Sequence, residues 1–533
     1  MTDFEARSLD TDWKLETPNF AADWRGLLFV RGHRAGNESV ARLAAELHTN
    51  GPERTLALAR GSFSLKLLDK RSAITFFCSD PFGLVQVFAG GDRIGSDLIH
   101  IVRTLARSEA ALDRVGVASF LRYGSYTLGR TLDERIRVLG GDEIVVCTPG
   151  NIVQRLRKAG TGPKRSAFDF DSYLADLKIA VSEQSISVDL TGGIDSRVVG
   201  AGFSHAGIPI SEFATMGTGA QEDMAIAEQV AAVLKVPHRR AEYAEVNFEQ
   251  RIPDLLAITN GQVGLATYDH AFQFARERLE HGISLAVSGA GGELWKDFWW
   301  LQDFPFLSGR PNLQWLYHTR IEPRCPETSI FTPTFDNLLQ MAREEYLGAM
   351  GRFSSMSKTQ AYDSVYAALR VPFVTGPWVS ATLRAGLPTL CPLLDIDGVR
   401  AAMQMPRHAR LFGAWHRQTI ARLAPSIAPL RTAEGTTTRT GLGALADIPS
   451  YVADKSVRLA QKVAQRLGHR DLIRRSLFDA RAFRTDAVHE LARRALATLA
   501  RFGVVRENLE PAELSFSQFE RVLTAGLLLN EIY

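Results

Sequence analysis

Short apolar segments, interrupted by Gly, Asp and Asn, fill the first 155 residues of the chain. The segments at 26–30, 61–68, 73–78 and 142–147 have the length and the flanking turn residues of antiparallel strands. Two other stretches, 39–48 and 115–122, have apolar residues at helical spacing. The pattern predicts an α+β domain over residues 1–155.

From residue 169 onward the pattern changes to helices that alternate with apolar strands. Helical spacing occurs at 171–183, 195–205 and 221–234, with strands predicted at 187–190 and 208–217. This alternation predicts an α/β parallel sheet whose ligand binds at the carboxyl ends of the strands. Further helices are predicted at 334–351, 357–369 and 379–385, with an amphipathic helix of basic polar face at 451–468. The basic stretch 156–168 contains Gly and Pro and is typical of a linker, so the second domain is placed at 169–533.

Composition and charge limit the classes of protein with which the sequence is compatible. A chain of 533 residues is long for a single core, which agrees with two domains. The net charge is only +3, which does not favour a nucleic-acid partner. The four cysteines are scattered, which favours neither a zinc site nor a disulfide framework and fits a reducing compartment. Neither a leader pattern nor a membrane-length apolar run is present, so we expect a soluble, cytoplasmic protein without membrane contact.

The candidate chemistry centres on residues 187–201, which read as a strand, a tight loop and a helix. A glycine pair lets the loop backbone approach a phosphate closely, and the start of a helix attracts an anion. Thr191 and Ser196 supply hydroxyl donors, and Asp195 supplies an oxygen ligand for Mg²⁺. The sequence therefore predicts a nucleotide phosphate loop, whose residues are Leu190, Thr191, Gly192, Gly193, Ile194, Asp195 and Ser196.

Thr-Gly-Gly-Ile-Asp-Ser resembles the Ser-Gly-Gly-x-Asp-Ser pyrophosphate loop of the N-type ATP pyrophosphatases, and its flanks are most similar to the asparagine synthetase family. The resemblance implies ATP and Mg²⁺ as cofactors. Residues 285–294 resemble the family's second signature, Ser-Gly-Asp-Gly-Gly-Asp-Glu-Leu, except that Ala290 replaces the first aspartate and one position is missing. Glu293 then becomes the candidate metal carboxylate beside Asp195. The other nucleotide contacts that the resemblance implies are Thr215 and Gly217, which flank the adenine, and Ser288, Gly289, Gly291 and Gly292.

Residues 431–439 occupy the place of the family's basic loop over the adenylate. The family's lysine is absent there, so Arg431 or Arg439 is the candidate catalytic cation beside Asp195; a plain polar loop is the alternative. The family's Glu-x-Arg before Pro392-Leu-Leu-Asp395 is also absent, which disfavours the ring closure of β-lactam synthetases. Three tryptophans within 295–300 are interpreted as core rather than as a substrate wall.

The first domain resembles the glutaminase domain of the same family, through Gly61-x-Phe and Asp80-Pro-Phe-Gly83. The resemblance implies an N-terminal-nucleophile-like sandwich. Thr2 stands where that domain has its catalytic cysteine, and the apolar strand that should follow is missing. We therefore expect a degenerate glutaminase that serves as scaffold, the alternative being a threonine amidase.

These features predict an ATP-dependent, AMP-forming amide ligase that adenylates a carboxylate on a small molecule or peptide. An amine or free ammonia then supplies the nitrogen, and biosynthetic partner proteins are possible. The alternatives are macrolactam formation like that of lasso-peptide cyclases and a non-catalytic descendant that binds a nucleotide or a partner. A tRNA- or sulfur-modifying pyrophosphatase shares the loop, but it calls for a reactive cysteine pair or a basic RNA surface, and neither is evident.

Overall fold

A computed structural model describes residues 14–533, apart from 92, 106–107, 150, 160–167, 218–221, 242, 244–246, 305, 327, 446, 448, 450–455 and 457–484. Thr2 and nearly all of the helix predicted at 451–468 lie outside the described residues. No helix in the described part of the chain is long and apolar enough to cross a membrane.

The N-terminal part contains two antiparallel sheets. A six-stranded sheet has the order β1-β2-β3-β4-β8-β9, and a three-stranded sheet has the order β6-β5-β7. The strands are β1 Leu15–Glu16, β2 Phe20–Phe29, β3 Arg60–Asp69, β4 Ile74–Ser79, β5 Phe88–Gly90, β6 Arg93–Gly95, β7 Ile136–Val138, β8 Glu143–Thr148 and β9 Asn151–Arg157. The helices of this part are α1 Asn37–Thr55, α2 Leu98–Thr104 and α3 Arg114–Tyr123. Strand β9 includes residues 156 and 157, so the linker prediction was wrong for those two positions, where backbone pairing with β8 overrides the basic composition.

A five-stranded parallel sheet forms the second part, with the order β12-β11-β10-β13-β14. Its strands are β10 Ile186–Asp189, β11 Glu212–Met216, β12 His238–Ala241, β13 Leu285–Val287 and β14 Thr389–Leu390. Val188 at the centre pairs with Phe213 on one side and with Val287 on the other, and all three side chains are buried. The predicted mixed α/β architecture, with a parallel sheet in the second part, is confirmed.

Helices surround this sheet and extend to the end of the chain. They are α4 Phe170–Ala180, α5 Ile194–Ala206, α6 Glu222–Leu234, α7 Phe248–Thr259, α8 Leu265–Glu280, α9 Leu313–Leu316, α10 Pro333–Gly351, α11 Lys358–Val365, α12 Gly376–Arg384, α13 Ile396–Gln404, α14 Arg407–Arg410, α15 Ala414–Leu423, α16 Leu442–Leu445, α17 Asp486–Arg501 and α18 Phe516–Ile532. The strand predicted at 208–217 is shorter than expected, since Pro209 lacks the N–H that a central strand requires. The helix predicted at 357–369 continues from α11 as a π-helical segment, Tyr366–Thr375, which contains Pro372.

Two arginines of the N-terminal part bind aspartates of the second part. The Arg31 guanidinium lies 3.3 Å from Asp395 Oδ1, and Arg60 Nη2 lies 2.8 Å from Asp397 Oδ2. Asp395, whose side chain is 1% exposed, also caps α13 by accepting the backbone N–H groups of Asp397 and Gly398. The two parts of the chain are therefore joined by a partly buried ionic cluster centred on Asp395 as well as by apolar packing.

Candidate functional site

The phosphate-loop candidate lies between β10 and α5, at the carboxyl edge of the parallel sheet. The hydroxyls of Thr191 and Ser196 lie 3.0 Å apart, and the Thr191 N–H donates to Ser196 Oγ at 3.1 Å. Gly193 precedes α5 and has no side chain with which to cap it. Backbone donors of the first helical turn are thus available to an anion, beside two hydroxyls that can turn toward it.

The second glycine loop, Ser288 to Gly292, follows β13 and packs directly on this helix start. A Cβ atom at Gly289 would lie 2.8 Å from the backbone N of Ser196, and one at Gly292 would lie 2.4 Å from Asp195 Cγ. Both distances are shorter than any real Cβ contact, so the two loops can meet only because these positions are glycine. The structure therefore brings the predicted residues of the two loops together.

The segment 430–438 lies over the first loop. The Ala433 N–H donates to the Gly192 carbonyl at 2.9 Å, and buried Arg197 donates to the carbonyls of Leu430 and Arg431. The side chains of Arg431 and Arg439, by contrast, are exposed. The predicted loop is thus in place over the phosphate loop through its backbone, and catalytic roles for its two arginines stay predictions.

Asp195 is the ionic centre of the site. Its Oδ2 lies 2.6 Å from Lys296 Nζ, and its Oδ1 lies 2.9 Å from Nε2 of the fully buried His416. The second contact is short enough for a hydrogen bond but its angles do not make one, so Oδ1 remains a buried acceptor without a hydrogen bond. Burial alone would raise the pKa of Asp195, but Lys296 and His416 outweigh it and hold the pKa well below its usual range. Asp195 is therefore an ionised carboxylate with an unused oxygen.

Glu293 lies in the same cluster, but its pKa is shifted in the opposite direction from that of Asp195. Burial first, and then the negative charge of Asp195, raise the pKa of Glu293. Its Oε2 accepts the Gly291 N–H at 3.2 Å. Asp223, at the start of α6, places a buried Oδ1 without a hydrogen bond against Gly192, where an added Cβ would meet it at 2.3 Å. Two carboxylates other than Asp195 thus border the two loops.

This donor set fits a magnesium ion that is carried by a nucleotide. Within the described residues, no group of three or more His, Cys, Asp and Glu side chains is arranged to hold a metal by itself. Magnesium bound to nucleotides commonly takes one or two carboxylates and completes its shell with phosphate oxygens and water. The unused oxygens of Asp195 and Asp223 suit that arrangement, and Glu293 is close enough to interact electrostatically with Asp195.

Among the other predicted nucleotide contacts, Leu190, Thr215 and Gly217 are engaged within the fold. The Thr215 hydroxyl donates to the Leu190 carbonyl and lies 2.9 Å from Nε2 of His238, so it ties the ends of β10 and β11 together. Leu190 is fully buried, and the Gly217 N–H donates to the Ala241 carbonyl at 3.2 Å. Since these groups are engaged in the fold, the adenine contacts assigned to Thr215 and Gly217 stay predictions.

A cavity of about 270 Å³ opens beside these strand ends, between the sheet and α8. Met216 and Ala241 line it at the ends of β11 and β12, and Arg276, Glu277 and Glu280 line it from α8. Its lining therefore carries charges of both signs at the edge of the sheet where ligands of α/β proteins bind.

The geometry thus combines two glycine loops, a helix start and an ionised carboxylate with an unused oxygen. Residues 177–294 match the family model described as asparagine synthase. The resemblance inferred from the phosphate loop is confirmed over this stretch, which contains both glycine loops. A comparison with curated proteins finds no match. An asparagine synthase domain supports an ATP-dependent amide ligase in general terms.

The ionic partners of Asp195, Lys296 and His416, were missed by sequence reasoning. Lys296 lies only three positions after Glu293, so its proximity to the second loop was the available signal. His416 lies in α15, more than two hundred residues after Asp195 along the chain, and no motif surrounds it. The tryptophan cluster, in contrast, is confirmed as core, since Trp295, Trp299 and Trp300 are all buried.

Proposed function

We propose that the protein is an ATP-dependent amide ligase that forms an acyl-adenylate and transfers the acyl group to nitrogen. The observation that carries the proposal is Asp195, an ionised carboxylate with an unused oxygen at the start of α5 between two closely packed glycine loops. Such an arrangement suits the polyphosphate of a nucleotide, and the asparagine synthase match supports this class of chemistry.

In the proposed reaction, an oxygen of the substrate carboxylate attacks the α-phosphorus of ATP. The bond from that phosphorus to the bridging oxygen breaks, and pyrophosphate leaves. The nitrogen of an amine then attacks the acyl carbon, loses a proton and displaces AMP. The first step brings two anions together, so positioning and positive charge are the main requirements.

The chain's own groups meet several of these requirements. Backbone donors at the start of α5 and the hydroxyls of Thr191 and Ser196 would orient the phosphates. Asp195, with Asp223 or Glu293, would hold magnesium, which would neutralise charge on the phosphate oxygens. The loop whose Ala433 contacts Gly192 would cover the site and limit the access of water to the adenylate.

We further propose that the nitrogen comes from an amine or from free ammonia rather than from glutamine, with the N-terminal part acting as a scaffold. Thr2 stands at the position where the resemblance to a glutaminase domain places the catalytic cysteine. The mixed charges of Arg276, Glu277 and Glu280 suit a substrate that carries both an amine and a carboxylate, as a small molecule or a peptide would. Biosynthetic partner proteins that deliver such a substrate are part of the same proposal.

The test is Mg·ATP binding by calorimetry, followed by AMP and pyrophosphate formation with sets of carboxylic acids and amines. Asp195→Asn should abolish metal-dependent ATP binding, since the amide keeps the size of the carboxylate but loses its charge. Asp171→Asn is a matched control, because Asp171 is likewise the second residue of its helix but lies on the surface paired with Arg422. Normal Mg·ATP binding by Asp195→Asn would contradict the assignment, and binding without AMP formation across the panel would favour a non-catalytic nucleotide-binding protein.

A further inference from the structure

The adenylation step requires a positive side chain at the phosphates, and the predicted candidates are poorly placed for it. Arg431 and Arg439 are exposed on the covering loop. Arg197 is fully buried and donates to backbone carbonyls of that loop. The residue of the loop that contacts the first glycine loop is Ala433, which carries no charge.

Lys296, unlike these arginines, lies close to the expected position of the phosphates. Its ammonium lies 2.6 Å from Asp195 Oδ2, at the start of α5 where the phosphates are expected. The side chain is 18% exposed, so it is largely shielded from water but still accessible. A lysine ammonium at such a distance from an aspartate is a compact charge on a flexible stem and can change partners by rotation.

The backbone around Lys296 is fixed by buried contacts. Arg410 Nη2 donates to the Lys296 carbonyl at 3.0 Å, while its Nη1 binds the buried Asp363 at 2.8 Å. The next residue, Asp297, accepts the Phe412 N–H at 2.8 Å. The backbone at Lys296 is therefore anchored, and only its flexible side chain needs to move.

We propose that Lys296 is the cation that binds the β- and γ-phosphates and neutralises the leaving pyrophosphate, and that Asp195 holds it in place until the nucleotide arrives. This inference rests on the proposed ligase function. With Asp195 holding the nucleotide's metal ion, Lys296 would turn to the phosphate oxygens, with Glu293 and Glu434 as the other negative charges nearby. Without a partner, the Lys296 ammonium would lose hydration in this partly buried site and would be destabilised. The ion pair with Asp195 offsets that loss while no nucleotide is bound.

The decisive experiment uses metal-free pyrophosphate as the probe, in an Asp195→Asn background. That background frees Lys296 from its ion-pair partner, and Lys296→Met then removes an ammonium that has lost this partner. Glu293, which interacts with both groups, stays in every variant, and thermal unfolding checks that each variant folds. Asp195→Asn should bind metal-free pyrophosphate more tightly than wild type does. Lys296→Met in this background should weaken binding at least about tenfold, on the scale of losing a charge-assisted contact to phosphate.

Two matched variants separate a direct contact from a change in net charge. Arg431→Met and Arg439→Met, each in the Asp195→Asn background, remove the same charge from the covering loop and should change the affinity less than about threefold, as exposed charges do. Equal losses for all three positions, or no detectable pyrophosphate binding by Asp195→Asn, would overturn the role of Lys296.

A second measurement uses the intact chain with Mg·ATP. Lys296→Met should lower the rate of AMP formation by about 10²- to 10³-fold, a larger change than the rise in the KM for Mg·ATP, because the contact strengthens as charge develops on pyrophosphate. A full rate in folded Lys296→Met would refute the inference and leave the ligase proposal intact. Failure of the wild-type chain to bind Mg·ATP would instead refute the ligase proposal itself.

Discussion

The buried ion pair between Arg410 and Asp363 links the stability of the chain to the geometry of the site. The two side chains are 3% and 4% exposed and lie 2.8 Å apart, and Arg410 also donates to the carbonyls of Lys296 and Ala402. Arg410→Met would remove the partner of a buried carboxylate. Breaking such a pair typically lowers the free energy of unfolding by about 3–5 kcal/mol.

The loss of stability caused by Arg410→Met should depend on pH and on whether Asp363 is still present. Burial already raises the pKa of Asp363, although Arg410 opposes it, so the variant should raise that pKa further. The folded state then binds a proton that the unfolded state releases, and the destabilisation should shrink as the pH falls. Asp363→Leu combined with Arg410→Met removes both charges and should recover most of the lost stability, within about 1–2 kcal/mol.

The assay is urea unfolding followed by tryptophan fluorescence, since the Arg410 guanidinium lies over the ring of Trp300 at 5.5 Å. The double variant should be stable but slow in AMP formation, because the Lys296 carbonyl has lost its donor. If Arg410→Met lowered the free energy of unfolding by less than about 1 kcal/mol at pH 7, the argument that buried Asp363 depends on Arg410 would be refuted. A double variant with a wild-type rate would show that Arg410 does not position Lys296.

Two other predictions follow from the packing of the site and of the core around it. Gly289→Ala should lower stability by about 1–3 kcal/mol, because its methyl group would meet backbone of α5, and it should weaken Mg·ATP binding as well. Gly193→Ala, whose nearest contact is a hydroxyl at 3.3 Å, should cost far less stability, and equal losses in thermal unfolding would contradict the packing argument. Burial lowers the pKa of His270 from 6.5 to about 4, so the unfolded chain binds a proton that the folded chain does not, and stability should fall by up to roughly 3 kcal/mol as the pH drops from 6.5 to 4. His270→Gln should flatten that dependence in thermal unfolding at pH 7 and pH 5, and an unchanged slope would show that another group titrates.

Local patterns predicted the fold and the loops better than they predicted the ionic partners. The parallel sheet and the two glycine loops follow from apolar periodicity and from turn residues, which act over a few positions. The pairing of Asp195 with Lys296 and His416 depends on how α15 and the segment after the second loop pack, and no local pattern encodes that. Arg431 and Arg439 were predicted from their position along the chain, whereas Lys296 lies beside Asp195 because of how the segment after the second loop packs.

The Asp80-Pro-Phe-Gly83 motif is explained by the structure of its turn. The buried carboxylate of Asp80 accepts the N–H groups of Phe82, Leu84 and Val85, so the turn is held by one side chain. The residue pattern is therefore explained by the geometry of the turn.

The arginines that cross from the N-terminal part to Asp395 and Asp397 have a consequence for any attempt to separate the two parts of the chain. Removal of Arg31 and Arg60 would leave Asp395, almost fully buried, without these counter-charges at the start of α13. The second part on its own should therefore be destabilised at that helix cap. The N-terminal part is thus a structural complement of the second part, whether or not it ever binds a substrate.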